Sequence, residues 1–430
     1  MSDKKLKSFQ SPEWFRLDNA GILFPGQNTR NWSNLFRVSI ELKEEIDPVI
    51  LKQALENIMP RFPGFNVRLR KGLFWYYLEK NPVKSPSVAP DVKNPCYRMN
   101  FKESERFLFR VYYHGNHIAV DLFHAVSDGY GNSRFVCTLA AEYLRLKGNN
   151  IPCGEFIKDI SAPAPNKELL DDFHKFATSK AKANITDKHV YHPDGVKMPK
   201  HMVNMTCGIM SFKEVHAIAK AKGVTVTEFF AAIMLDIHLR KQLRENRKQK
   251  EVSVQIPVNL RNIYPSQTMR NFSICLMVKI DPTYGEYTFD ELLTQVAYQL
   301  RLARDEKKIN ATISKHVRIE KNPALKFMPL VVKNVALAVA TMVGAEQTTT
   351  VYLSNLGEIT LPEEMVPFVE KALFVPCAGM RTAARCGVVS FNDKLVFTIA
   401  NSFKENDIER EFFTTLVKMG VHVKIQSNRE

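Results

Sequence analysis

The chain has 430 residues, 45 % of them hydrophobic and 24 % charged. So apolar a sequence can bury enough surface to offset its ordering entropy, which excludes a disordered chain, and 18 glycines with 22 prolines exclude collagen-like and low-complexity architectures. A net charge of +15 suits an anionic partner, whether nucleic acid, membrane surface or phosphorylated small molecule, and does not choose among them.

In chain order, Phe36, Val38, Ile40 and Leu42 alternate with polar residues and predict a half-buried strand. Asp47-Pro48 then supplies an N-cap and a first-turn proline for a helix with Leu51, Ala54, Leu55 and Ile58 on one face. Two strands are expected around Lys71-Gly72, and a second pair at 107–113 and 117–123, which runs straight into His124-Ala-Val-Ser-Asp128-Gly129. A helix follows Gly131 and ends near Gly148. From there to about Met205 prolines interrupt the pattern, with one helix expected from Lys167 to Ala183, so this stretch reads as a connection between two halves.

The second half opens three helices with capping boxes, at Ser211/Glu214, Thr225/Glu228 and Thr288/Glu291. Strands are expected at 252–260, 272–280, 348–354 and 387–402, the last folded at Asn392-Asp393, and a final helix at 407–419. Strands and helices alternate without a regular βαβ series, which predicts α+β or mixed-sheet domains rather than a doubly wound sheet. The apolar stretch Ala324 to Gly344 is interrupted by Lys326 and Lys333, too soon for a membrane span, and reads as a core helix. Phe327, Leu330, Val331, Val335, Leu337, Ala338 and Met342 give it a buried or tunnel-lining face, with an exposed lipid-docking face as the alternative.

Seven cysteines form no CxxC pair and are odd in number, which reads as reduced thiols. The first residues hold no apolar signal-peptide region, so a cytoplasmic protein is expected. His189-x-x-His192 lacks the companions of a metal site, and no metal is expected. Gly129-x-Gly131 is no dinucleotide fingerprint, because Arg134 stands at its last position and a hairpin precedes it. The basic run Arg240 to Lys250 has no interleaved aromatics and reads as a solvated helix end, so no nucleic-acid partner is expected.

His124 has the most informative setting of the 11 histidines. At a strand end it can be held rigidly with its imidazole facing a cleft, and its ordinary pKa suits it to accept a proton near neutral pH. Asp128 could fix the loop by pairing with a cation, and Gly129 permits a turn conformation closed to other residues. Two more segments, Pro257-Val258-Asn259-Leu260-Arg261 and Arg270-Asn271-Phe272, complete a pattern. In that order the three segments resemble the acyltransferase superfamily with the chloramphenicol-acetyltransferase fold. It includes plant BAHD enzymes, peptide condensation domains and alcohol acetyltransferases. The last branch is the most similar, since Ser354-Asn355-Leu356-Gly357 matches a segment that recurs there. Phe123 replaces the first of the two adjacent histidines of condensation domains, the DFGWG segment of plant enzymes is absent, and Arg270 stands where glycine is usual.

The resemblance implies two similar domains, each a mixed β-sheet flanked by helices, with a tunnel along their interface. Residues 1–160 would form the N-terminal lobe, 161–205 the connection and 206–430 the C-terminal lobe. His124 would be the general base that deprotonates an alcohol or amine acceptor for attack on an acyl-CoA thioester, with acyl-CoA as co-substrate and no bound cofactor. Asp128 would pair with Arg261 and be structural, with Gly129 in the same loop. Ser354 and Asn355 are candidate oxyanion or tunnel residues, with a turn motif as the equal alternative, and Arg270 is a candidate contact for a CoA phosphate. Two other readings stay open: a donor or acceptor held on an acyl carrier protein, and a non-catalytic anion- or nucleic-acid-binding protein on the same scaffold.

Overall fold

The computed structural model describes residues 13–28, 33–181, 189–199, 202–245, 248–340, 347–376, 379 and 384–429. The first half runs β1 (Trp14–Arg16), α1 (Leu23–Gln27), β2 (Leu35–Leu42), α2 (Pro48–Ile58), β3 (Val67–Lys71), β4 (Tyr76–Lys80), β5 (Val88–Pro90), β6 (Phe109–His114), β7 (His117–Phe123) and α3 (Gly129–Leu146). Asp47 caps α2 by accepting from the backbone N of Val49 at 2.8 Å and of Ile50 at 3.2 Å. β2, β7 and β6 pair antiparallel, with Leu35 opposite Phe123 and Val111 opposite Val120, and β5 runs parallel beside β6. β1, β4 and β3 make a separate antiparallel sheet. α3 packs on β2 and β7. Its Phe135 is fully buried, stacked on Phe65 with ring centroids 4.6 Å apart and edge-on to Phe109 at 5.1 Å. Truncating a core phenylalanine of this kind costs ~3–5 kcal/mol.

The second half runs α4 (Asp172–Phe176), β8 (Asn204–Ser211), α5 (Phe212–Ala221), α6 (Val226–Arg244), β9 (Val252–Asn259), β10 (Ser273–Ile280), α7 (Phe289–Ala303), α8 (Glu306–Lys321), α9 (Pro323–Lys326), α10 (Leu330–Ala340), β11 (Val351–Glu358), β12 (Val369–Val375), β13 (Ala384–Phe391), β14 (Lys394–Asn401), α11 (Asp407–Lys418) and β15 (Lys424–Ser427). Its seven-stranded sheet has the order β10-β9-β11-β13-β14-β8-β15. β11 is parallel to both neighbours and the other pairs are antiparallel, so the sheet is mixed. The capping boxes at Thr225/Glu228 and Thr288/Glu291 close in both directions. At Ser211 only the serine half forms, because the Glu214 carboxylate accepts from the backbone N of His422 instead. Asn392 and Asp393 take φ of +45° and +66°, which makes the tight turn between β13 and β14.

β12 crosses between the halves. It leaves the sheet of its own half and pairs antiparallel with β2, Phe374 opposite Val38, so segment 206–430 supplies the edge strand of the N-terminal sheet. Two large sheets with helices against each, a smaller three-stranded sheet and two main hydrophobic clusters make the α+β two-lobed architecture.

Two expected helices are corrected. From Lys167 to Ala183 only a 3₁₀ turn at Asn166–Leu169 and α4 form, because Leu170 is extended (φ −77°, ψ 149°) and Asp171 recaps the chain on the N of Phe173; residues 182–188 lie outside the described residues. The 324–344 stretch is not one core helix. Proline opens α9, Pro329 precedes α10, and much of the apolar face points outward, with Phe327, Val331 and Val335 exposed by 63, 76 and 62 %. Met342 lies outside the described residues. No described helix is long and apolar enough to cross a membrane.

Candidate active site

His124 follows the last residue of β7, and its backbone N donates to the carbonyl of Asn34 at 2.9 Å. The ring is half-buried, stacked on Phe24 of α1 at 4.6 Å and tilted against Phe36 of β2 at 4.8 Å. Its Nδ1 lies 2.9 Å from Oδ1 of Asn271. The Asn271 amide nitrogen donates to the Asp18 carboxylate at 3.1 Å and to the His124 carbonyl at 2.9 Å. With both amide hydrogens so used, Oδ1 is left as the acceptor, and the hydrogen between Asn271 and the ring belongs to His124 Nδ1. Nε2 therefore carries the free lone pair. No described residue pairs with Nε2, and it is not among the buried unpaired atoms, so solvent reaches it. Burial pushes the His124 pKa below 6.5, against the pull of the Asp128 charge and the Asn271 bond. The ring is thus neutral and basic at Nε2 at neutral pH.

Asp128 faces away from that chemistry. It caps α3 on the N of Gly131 at 3.2 Å, accepts from the N of Phe272 at 2.9 Å and pairs with Arg261 Nη1 at 2.8 Å, both side chains nearly sealed from solvent. Arg261 also donates to the Thr268 carbonyl at 2.9 Å and lies 4.2 Å from the Tyr130 ring centroid. One carboxylate therefore ties the histidine loop of the first half to the 261–272 segment of the second. Gly129 is needed for space rather than for conformation. Its φ is not positive, but a Cβ there would come within 2.3 Å of Leu356. The Ser354–Gly357 segment thus docks on the histidine motif through Leu356.

The remaining candidates have other employment. Asn355 donates to Thr227 at 3.0 Å and accepts from the N of Gly357 at 2.8 Å, while Gly357 has φ +79°; this is the turn reading of that segment. Ser354 is buried in β11 opposite Gly387. Arg270 is buried, 3.5 Å from the Asp18 carboxylate, and its guanidinium donates to the carbonyl of Arg16. It offsets a buried charge and does not present itself to a phosphate. Asp18 was not legible in the sequence, since it belongs to no motif and meets Asn271 253 residues away. Asn271 was visible in the Arg-Asn-Phe segment, but its contact with the ring was not.

A cavity of about 1360 Å³ lies against the three-stranded sheet and α8–α9. Trp14, Trp75, Tyr76 and Tyr77 give it aromatic walls, and Arg16, Arg68, Lys80, Lys84, Lys321 and Lys326 outnumber Glu13, Glu79 and Glu320. Leu17 and Ile22, either side of Asp18, line it; His124 does not, so the expected tunnel does not run open through this cavity to the ring. Beside it Asp171, His174 and Glu320 hold their ligand atoms within 4.8 Å of one another, the one group of that kind among the described residues. Asn19 donates to both carboxylates, at 2.9 and 2.6 Å, which accounts for the cluster without an ion. Burial pushes the Asp171 carboxyl up to about 6, helped by the Asp18 charge.

No protein-family model matches the chain, and no curated protein matches it. Solved structures do. Polyketide synthase associated protein 5 from Mycobacterium tuberculosis superposes with TM-score 0.59 at 14 % identity, over 94 % of this chain and 97 % of that one. The fold is that of the chloramphenicol-acetyltransferase-like proteins. A trichothecene 15-O-acetyltransferase from Fusarium sporotrichioides gives 0.58 at 11 % identity, covering 94 % of each chain. A wax ester synthase/diacylglycerol acyltransferase from Marinobacter aquaeolei gives 0.53 at 13 %, over 94 % of this chain and 100 % of that one. Identities this low speak for the fold, and the chemistry has to be argued from the site.

Proposed function

We propose that this protein transfers an acyl group from a thioester, with acyl-CoA the favoured donor, to a hydroxyl acceptor, using His124 Nε2 as general base. The observation that carries this is the ring itself: Nδ1 occupied by Asn271, Nε2 free and reached by solvent, at the end of a strand in a fold shared with solved acyltransferases. Nε2 takes the acceptor proton as the oxygen attacks the thioester carbonyl carbon. The tetrahedral intermediate collapses with cleavage of the C–S bond, and the imidazolium returns the proton to the departing thiolate. No acyl-enzyme forms, so no nucleophilic side chain is required.

The net charge of +15 suits an anionic donor such as a CoA thioester. The reading is tested by following free thiol from acyl-CoAs of increasing chain length with a panel of alcohols. Release that depends on both acceptor and His124 supports it. Turnover confined to carrier-loaded donors would move the donor onto a carrier, and absence of any transfer would reject it.

A further inference from the structure

Helix α10 leaves a continuous apolar face in solvent. Val331, Val332, Val335 and Val339 fall on one side of it at helical spacing and are each more than half exposed. Leu73 in the β3–β4 turn (74 % exposed) and Phe327 extend the face at its N-terminal end. Single exposed apolar side chains are ordinary, but a contiguous group marks an interaction surface.

This surface is rigidly built. The N of Leu330 donates to the Leu73 carbonyl at 3.0 Å, and Asn334 donates to the Tyr76 hydroxyl at 2.9 Å. Lys333, the one charge on α10, is turned inward: its ammonium donates to the Phe74 carbonyl at 2.8 Å and sits 3.1 Å from the Trp75 ring centroid. The outward face is left with no charge at all. The segments that build it carry lysines and arginines and no acid, the nearest carboxylates in the chain being Glu79 and Glu320 at their ends. Residues 321–340 and 65–78 contain no Asp or Glu, and Lys71, Lys321 and Lys326 are exposed at its edge.

We propose that this face docks the protein onto an anionic lipid bilayer, the valines entering the acyl boundary and the lysines meeting the headgroups. An uncharged aliphatic stripe with lysines along its edge is the pattern of an interfacial helix. A second copy of the chain would set lysines against lysines, and an acidic carrier would answer the rim but not the stripe. The inner side of α10 packs on α1, where a Cβ on Gly26 would come within 3.1 Å of Asn334, and α1 carries the Phe24 that stacks on His124. Trp75, Tyr76 and Lys326, from the same elements, line the large cavity. Resting on the acyl-transfer reading, this assigns the reaction a lipid-dissolved substrate, such as a long-chain alcohol or acyl donor, drawn from the membrane.

The test is flotation of the full chain with vesicles of phosphatidylcholine alone or mixed with phosphatidylglycerol. The wild type should float with the anionic vesicles, less with the neutral ones, and be released by salt. The double substitution Val331→Glu/Val335→Glu, at exposed positions, should leave the melting temperature unchanged and weaken flotation about tenfold or more. Failure of the wild type to float with anionic vesicles overturns the proposal, as does equal flotation by the double variant. A valine-dependent dimer, or valine-dependent capture by an acidic acyl carrier protein, without vesicle binding would also overturn it. Vesicle binding needs no turnover, so its failure leaves thiol release from a soluble short-chain acyl-CoA as a separate result.

Discussion

Asn271 Oδ1 lies 2.9 Å from Nδ1 of His124, and because the Asn271 amide nitrogen is committed to Asp18 and to the His124 carbonyl, that contact selects the tautomer of the ring. Asn271→Ala should lower kcat about 10²-fold, with a much smaller change in KM for acyl-CoA, since the bond orients the base rather than the donor. Steady-state kinetics with both substrates varied would separate the two. Unchanged kcat would remove Asn271 from the account.

The pH dependence has a definite sign. Burial holds the His124 pKa below 6.5, and the protonated ring cannot act as base. Activity should fall on the acid side only, with its midpoint below 6.5, and be flat through neutrality as far as His124 is concerned. Because the Asn271 bond raises this pKa, Asn271→Ala should move the acid limb lower still. A profile of kcat/KM for the two proteins reads both expectations. An acid limb above 6.5 would contradict them.

The Asp128–Arg261 pair predicts a stability effect, not a chemical one. Arg261→Ala strands a nearly buried carboxylate and should cost ~3–5 kcal/mol, seen as a lower denaturation midpoint. The double variant Asp128→Ala/Arg261→Ala should lose less stability than the two single changes summed, because the second change removes the uncompensated charge. Additive losses would mean that the pair is not coupled.

Space at Gly129 is testable in the same way. Gly129→Ala puts a methyl group within 2.3 Å of Leu356 and should destabilise by ~1–3 kcal/mol through overpacking. Leu356→Ala makes room and should recover part of that loss in the double variant. Thermal melts of the four proteins close the cycle.

The histidine loop was legible in the sequence because its signals are local: an alternating strand, a histidine at its end, an aspartate and glycine before a helical period. The strands on either side of Lys71-Gly72 and Asn392-Asp393 were legible for the same reason. β12 was not, because Ala372-Leu373-Phe374-Val375 states that it will be buried but not that its partner is β2. Asp18 was silent because its role comes entirely from contacts across the fold. α10 was legible as an apolar helix but its orientation, core by default with an exposed face as the alternative, was not, because an apolar period of 3.6 is the same whether the face turns inward or outward, and only packing decides. The reason for a glycine at 129 was not legible, since the close approach of Leu356 cannot be seen from spacing.

The most direct measurement is thiol release from an acyl-CoA in the presence of an alcohol acceptor, comparing the wild type with His124→Ala at matched folding by circular dichroism. The account predicts acceptor-dependent release that falls ~10²- to 10⁴-fold in the variant, with the melting temperature nearly unchanged. Equal rates in the two folded proteins would contradict it.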